Sequence, residues 1–316
     1  MGRGSKTLSV PIVKEKALHE QVWFYFLIGL CAALLLGALM RVYILRKMHA
    51  LEARHREEKE RERITGELQM AGRIQESVLP RSFPAFPDRT EFDLYAVMDT
   101  ARDVGGDFYD FFLIDDDHLC LVMADVSGKG IPAALVMMVS KYVLKSYASM
   151  DQSAAEVLTK TNEALCSENS TEMFVTVWLG ILEISTGRLI AANAGHEYPV
   201  LKRADGPYEL YKDAHGLVVG GMEGVKYRDY ELQLGPGDRL FLYTDGVPEA
   251  TASDNSMFGT DRMIDALNES GDCSPQELLS HVRNAVDAFV KDAEPFDDLT
   301  MLCLEYRGST EKKADA

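Results

Sequence analysis

Residues 119–135, LCLVMADVSGKGIPAAL, hold the pattern on which the fold reading turns. Leu119–Ala124 is an unbroken apolar run of strand length, and Asp125 closes it. Ser127, Gly128 and Gly130 then mark a tight turn, and a helical pattern opens at Ile131. A strand that ends in a carboxylate before a glycine turn projects that carboxylate from the sheet edge into a loop-lined cleft. Three further segments share the design: Asp107 in GGDFYD, Asp245 in YTDGVPEA, and Asp297 with Asp298 in FDDLTM.

Carboxylates aimed at one centre repel each other unless cations lie between them. All-oxygen ligation suits magnesium, manganese or calcium rather than zinc. Two such ions about 3.5–4 Å apart form the usual clamp for in-line hydrolysis of a phosphate ester. A metal-dependent phosphatase is therefore the first expectation.

Around the four acids the texture is β-rich. LCLVMADV, FVTVWLGILEI, LIAANA, DYELQL, RLFLYT and LTMLCLEY read as strands separated by Gly- and Asp-containing turns. Helical stretches are expected at Ile131–Met150, with Ala134, Leu135, Met138 and Val139 as its apolar face, and at Ala154–Cys166. A third at Ser274–Asp292 opens with Ser274, Pro275 and Glu277, a capping-box pattern. Strands interrupted by amphipathic helices imply an α+β fold in which two packed sheets carry helices on their outer faces.

The N-terminal part differs. Val22–Met40, VWFYFLIGLCAALLLGALM, runs 19 residues without a charge. At about 1.5 Å per helical residue that nearly matches a ~30 Å hydrocarbon core. A transmembrane helix is expected over 22–40, behind a short tail at 1–21. A signal peptide would have a shorter apolar region and a small-residue cleavage site. The basic cluster after the span, from Arg41 to Arg61, outnumbers that before it, which places the C-terminal part in the cytoplasm.

Residues 41–79 read as a helical linker. Ile44, Met48 and Leu51, then Ile64, Leu68, Ala71 and Val78 with Gln75 in the remaining slot, form a coiled-coil seam that slips by one residue across the charged middle. Pro80 ends the helix. A compact domain at 91–306 and a flexible tail at 307–316 complete the expected organisation.

Charge is divided unevenly. Residues 1–79 hold 13 Lys/Arg against 9 Asp/Glu, and the remainder holds 20 against 41, within a chain of net charge −17. An acidic domain of this kind lacks the basic footprint of a nucleic-acid-binding protein. The five cysteines have no paired spacing and fit a reducing compartment.

The strings IQESVLP, ARDVGGDFYD, ADVSGKGIPAAL, NAGHEYP, LFLYTDGVPEA, FG and DDLT follow one another between about Leu68 and Tyr306. In that order the chain resembles the type 2C metal-dependent serine/threonine phosphatases, in their bacterial SpoIIE/RsbU branch. The resemblance implies a four-layer α/β/β/α sandwich and two divalent cations, manganese or magnesium. It makes Asp107 a ligand shared by both ions and Asp125 a ligand of one, with the Val126 carbonyl on the other. Asp245 is a further direct ligand. Of the last pair, Asp297 is expected to bind metal and Asp298 to support it.

It also implies a phosphorylated protein as substrate, of the STAS-type anti-sigma-factor antagonist class, and a helix near 66–79 that dimerises and acts as a switch. Arg102 stands where related phosphatases carry a phosphate-contacting arginine; a surface salt bridge is the other reading. His196 is either a proton donor to the leaving serine or a histidine that closes a tight turn. Lys129 and Gly130 either face an anion or shape the turn. Asp103 and Asp110 are expected at the surface.

The residues admit two other functions. GGDF at 105–108 is similar to the GGDEF signature of diguanylate cyclases, but Phe108 and Tyr109 stand where those enzymes need another acid. A catalytically inactive scaffold is the second alternative, against which all four expected acids are present.

Overall fold

The computed structural model describes residues 22–150, 153–168 and 172–308, together with positions 11, 14, 15, 17 and 18. Most of the tails expected at 1–21 and 307–316 lie outside the described residues. Two units are distinguished, Met1–Gly66 and Glu67–Ala316.

Helix α1 (Val22–Ser77), most of which lies in the first unit and whose last residues belong to the second, begins where the apolar run begins. Its most apolar 18-residue window has a mean hydropathy of 2.3 and none of it is buried, so the helix is long and apolar enough to cross a membrane. The seam residues Ile44, Met48 and Leu51 are exposed. The helix stops three residues before Pro80, as expected from the loss of a backbone donor and the restriction that proline places on its predecessor.

In the second unit, ten strands form two antiparallel sheets. The first has the order β1 (Phe92–Asp99), β10 (Leu299–Tyr306), β9 (Arg239–Tyr243), β6 (Val200–Lys202), β7 (Tyr208–Leu210). The second has the order β2 (Phe108–Leu113), β3 (His118–Val126), β4 (Val175–Glu183), β5 (Arg188–Ala194), β8 (Tyr230–Gln233). Helices α2 (Ile131–Ala148) and α3 (Ala154–Glu168) cover the second sheet. Helices α4 (Gly259–Glu269) and α5 (Pro275–Val290) cover the first. This is the α+β, α/β/β/α sandwich.

The strand period of two builds both cores. Along β10, Leu302 and Leu304 enter the core shared by the two sheets, while Met301 and Cys303 enter the core under α5. Along β9, Leu240 and Leu242 alternate in the same way with Phe241 and Tyr243. Helix α5 starts with the anticipated capping box, in which the Ser274 hydroxyl accepts from the Glu277 amide and the Glu277 carboxylate accepts from the Ser274 amide.

Two local expectations are corrected. Asp110 is buried, because β2 is covered on both faces; its carboxylate meets the buried Lys141 of α2 at 2.5 Å. The apolar face of α2 is only partly the one expected, since Ala134 faces inward but Leu135 and Val139 do not. Ala133, Ala134, Met137 and Leu144 pack inward, whereas Leu135 and Val139 are 60% and 54% exposed. Leu68, Ala71, Gln75 and Val78, expected to line a coiled-coil seam, are wholly or partly buried within the Glu67–Ala316 unit.

Candidate metal centre

Asp107 sits at the entrance to β2, between the two sheets. Its Oδ2 accepts from the Thr244 and Thr300 hydroxyls, each at 2.6 Å. Thr300 lies near the start of β10 and Thr244 just beyond the end of β9, both strands of the opposite sheet, so this buried carboxylate pins one sheet to the other. Burial, followed by the charges of Asp125 and Asp298, pushes its carboxyl well above the ordinary range.

Asp125 is the last residue but one of β3, close to the strand end where it was expected, and its carboxylate lies near that of Asp107. Burial, then the charge of Asp245, pushes the Asp125 carboxyl up to about 7, with Asp297 and Asp298 adding to the shift. Asp245, two residues beyond β9, is raised to about 6 by burial and then by Glu249 and Asp297. The four acids therefore feel one another across a single rim between the sheets.

The Asp297–Asp298 pair divides its duties. Asp298 Oδ1 accepts from the Ala101 amide at 2.8 Å, and its Oδ2 accepts from the amides of Gly106 at 2.8 Å and Asp107 at 3.5 Å. The loop leading to Asp107 is thus wrapped around the Asp298 carboxylate. A Cβ on Gly105 would lie 2.2 Å from Asp298 Oδ2, and one on Gly246 would lie 1.8 Å from the Asp298 carbonyl oxygen. Only glycine fits at either place. Asp297 is half-buried instead and forms an ion pair with Lys129 at 2.7 Å. Lys129 also donates to the Phe296 carbonyl at 2.6 Å.

Among the described residues, no three acidic, histidine or cysteine side chains stand in a ligating arrangement around one point. The chemistry of the donors nevertheless fits a hard divalent ion. Asp107, Asp125, Asp245 and Asp297 lie near enough to act on one another electrostatically, with no sulfur or imidazole among them, and the Lys129 ammonium offsets the charge of Asp297. The Val126 carbonyl faces the same loop, since a Cβ on Gly106 would lie 2.9 Å from its oxygen.

His196 is buried within the second sheet. Its Nε2 donates to the Tyr243 carbonyl at 3.1 Å and its Nδ1 accepts from the Thr176 hydroxyl at 2.9 Å. Burial lowers its pKa to about 3, so the ring is neutral and bridges the two sheets. Arg102 is exposed and has no hydrogen bond or ion pair among the described residues. Asp103 is exposed, as expected.

Sequence reasoning passed over Thr244 and Thr300, although each stands next to or near an acid in its motif, in YTDG and DDLT. It also missed a clamp from α1. The buried Gln75 donates from Nε2 to the Gly105 carbonyl at 2.6 Å and accepts at Oε1 from the Gly105 amide at 3.0 Å. Beside it, a Cβ on Gly72 would lie 2.1 Å from the Asp103 carbonyl oxygen, so the helix meets the loop backbone to backbone.

The profile of the family described as Stage II sporulation protein E (SpoIIE) matches residues 115–307. Protein IcfG of Synechocystis sp. is 30% identical over 275 residues, covering 76% of this chain and 41% of its own length. Phosphoserine phosphatase RsbU of Bacillus subtilis is 28% identical over 248 residues, covering 77% of this chain and 71% of its own length. This chain thus spans less than half of IcfG. The SiaA-PP2C domain of Pseudomonas aeruginosa superposes with a TM-score of 0.67 at 22% identity, over 78% of this chain and 98% of that domain.

Proposed function

Because the chain belongs to the SpoIIE family of type 2C phosphatase domains, we propose that it is a membrane-anchored protein phosphatase that hydrolyses phosphoserine or phosphothreonine. The observation that carries this reading is the gathering of Asp107, Asp125, Asp245 and Asp297 near enough to act on one another's charge, on a fold that superposes on a PP2C domain. Asp107, Asp125, Asp245 and Asp297, with the Val126 carbonyl, would hold two divalent cations, manganese or magnesium. Bound there, such ions polarise a phosphate and acidify an attacking water.

The chain's own residues fix the geometry. Thr244 and Thr300 fix the Asp107 carboxylate. Asp298 orders the loop before Asp107 and leaves Asp297 as the ligand of the pair. Arg102, exposed and unpartnered on that loop, is the guanidinium available to the substrate phosphate. His196, with both ring nitrogens engaged internally, has no proton to give to a leaving group.

The substrate is a phosphorylated protein of the STAS-type antagonist class, a reading supported by the likeness to RsbU. Val22–Met40 anchors the chain in the cell membrane with the phosphatase domain in the cytoplasm. The seam at Ile44, Met48 and Leu51 pairs two copies, and the turns that carry Gln75 report to the metal loop. The full chain in detergent with manganese should hydrolyse p-nitrophenyl phosphate, lose that turnover with EDTA, and leave GTP intact. An inert protein would support the scaffold reading, and a cyclic dinucleotide would support the cyclase.

Metal binding should also release protons. Asp125 and Asp245 titrate at about 7 and 6 and must ionise to bind a cation. Manganese affinity is therefore expected to rise from pH 5.5 to 7.5 and then level off. Calorimetry at pH 6.5 in buffers of different ionisation enthalpy should show net proton release on manganese binding, and a smaller release at pH 8.5. Identical heats in all buffers at pH 6.5 would contradict the assignment of these two acids.

A further inference from the structure

Helix α2 turns an apolar stripe outward. Ile131, Leu135, Val139 and Tyr142 are 51%, 60%, 54% and 55% exposed. At 100° per residue these four, with the partly buried Met138, fall within one narrow sector, and at about 1.5 Å per residue they span ~16 Å. The fold has no need of them, because Ala133, Met137, Leu144 and Ala148 already fill the contact with the second sheet. An exposed contiguous apolar strip on a folded domain marks a place where something else binds.

Position and charge name the occupant. The stripe starts two residues after Lys129, whose ammonium is paired with Asp297 at the metal centre, so it continues directly from the place where a phosphoserine would sit. Residues 80–316 carry 20 Lys/Arg against 41 Asp/Glu, yet α2 contains two lysines and no acid at all. Lys141 is neutralised by Asp110, while Lys145 is exposed and lies over the Phe112 ring at 4.7 Å. On a domain that repels anions almost everywhere, this is a face beside the site on which an anionic surface can rest.

We propose that the outer face of α2 is the docking ridge for the protein substrate: a folded, acidic phosphoprotein that presents an apolar patch next to its phosphorylated serine. This deepens the phosphatase reading and rests on it. The ridge gives the enzyme its preference for a whole protein over a phosphopeptide, because the peptide reaches the metal centre without covering the stripe. The interaction acts on substrate capture and not on the chemical step.

The test compares three substrates with the full-length protein in detergent: p-nitrophenyl phosphate, a serine-phosphorylated STAS-domain protein, and a phosphoserine peptide cut from that protein. The wild type should favour the whole protein over the peptide. Leu135→Glu should lower kcat/KM for the whole protein about 10- to 100-fold through KM, and leave the peptide and p-nitrophenyl phosphate unchanged. Leu135→Lys should lose less than Leu135→Glu, and Tyr142→Ala should show the same selectivity for the whole protein. Equal losses on all three substrates, no loss on any, or a wild type indifferent between protein and peptide would overturn the ridge while leaving the phosphatase reading intact. Loss of a dimer in Leu135→Glu by light scattering would overturn it in favour of a second copy as occupant. Absence of wild-type turnover on every substrate would overturn the phosphatase reading and this one together.

Discussion

Asp125→Asn is expected to lower phosphatase turnover by about three orders of magnitude and, in the same protein freed of metal, to raise the melting temperature. The first effect follows from the role proposed for the carboxylate. A divalent ion contributes several kcal/mol of transition-state stabilisation, and about 4 kcal/mol is a factor of ~10³ in rate. Asparagine keeps the shape and one acceptor but not the charge that holds the ion. The second effect follows from the crowding of acids around Asp125. Its carboxyl is raised to about 7 by burial and by Asp245, with Asp297 and Asp298 adding to it.

The sign of the stability effect is fixed by that direction. A carboxyl that is harder to ionise in the folded state contributes stability below its unfolded pKa of 3.8, and that stability is lost as the pH rises through about 7. At pH 8 the metal-free wild type therefore carries a buried charge it would sooner lose, and asparagine removes it. With pairing and relaxation discounted, a gain on the order of 1–2 kcal/mol is expected, or roughly 2–8 °C for a domain of this size. Below pH 4 the two proteins should melt together. Excess manganese should reverse the order at pH 8, because only the wild type gains stability from binding. Scanning fluorimetry at both pH values, with and without manganese, reads all three outcomes. A metal-free variant that melts below the wild type at pH 8 would sink the picture of mutually repelling ligands.

What could be read without coordinates was local. Apolar runs closed by an acid located the ends of β3 and β9, and Ser274 with Glu277 located the start of α5, because each signal lies within a few consecutive residues. Strands β6 and β7 are three residues long and carry too little periodicity to register. Contacts that finish the site cross the chain. Asp298 and Ala101 are 197 residues apart, and Thr300 and Asp107 are 193 apart, so no spacing rule links them. Asp110 looked like a surface acid because its partner Lys141 lies on another element. On α2, both the inward and the outward stripes are apolar, so hydrophobic periodicity alone could not tell core from docking face.

Gln75→Leu is expected to cut turnover by a factor of about 10²–10³ with the sandwich still folded. Leucine has nearly the size of glutamine but leaves the Gly105 amide and carbonyl, both now paired with Gln75, without partners in a buried place. Each such orphan costs about 1–3 kcal/mol. The loop relieves that cost by turning towards water, and Asp107 lies two residues further along it. Displacement of a catalytic group by about 1 Å is enough for a ~10²-fold loss. Asp298 still grips the Gly106 amide, so the loop tilts rather than unravels, and the remaining activity should rise with manganese concentration. Gly72→Ala should act in the same way from the other contact, because its Cβ would press on the Asp103 carbonyl and lift the helix from the loop. Arg73→Leu, exposed on the same helical turn, should leave turnover unchanged. Retention of full activity at low manganese by Gln75→Leu would show that the end of α1 packs on the domain without governing its metal loop, and would remove the physical link between α1 and catalysis.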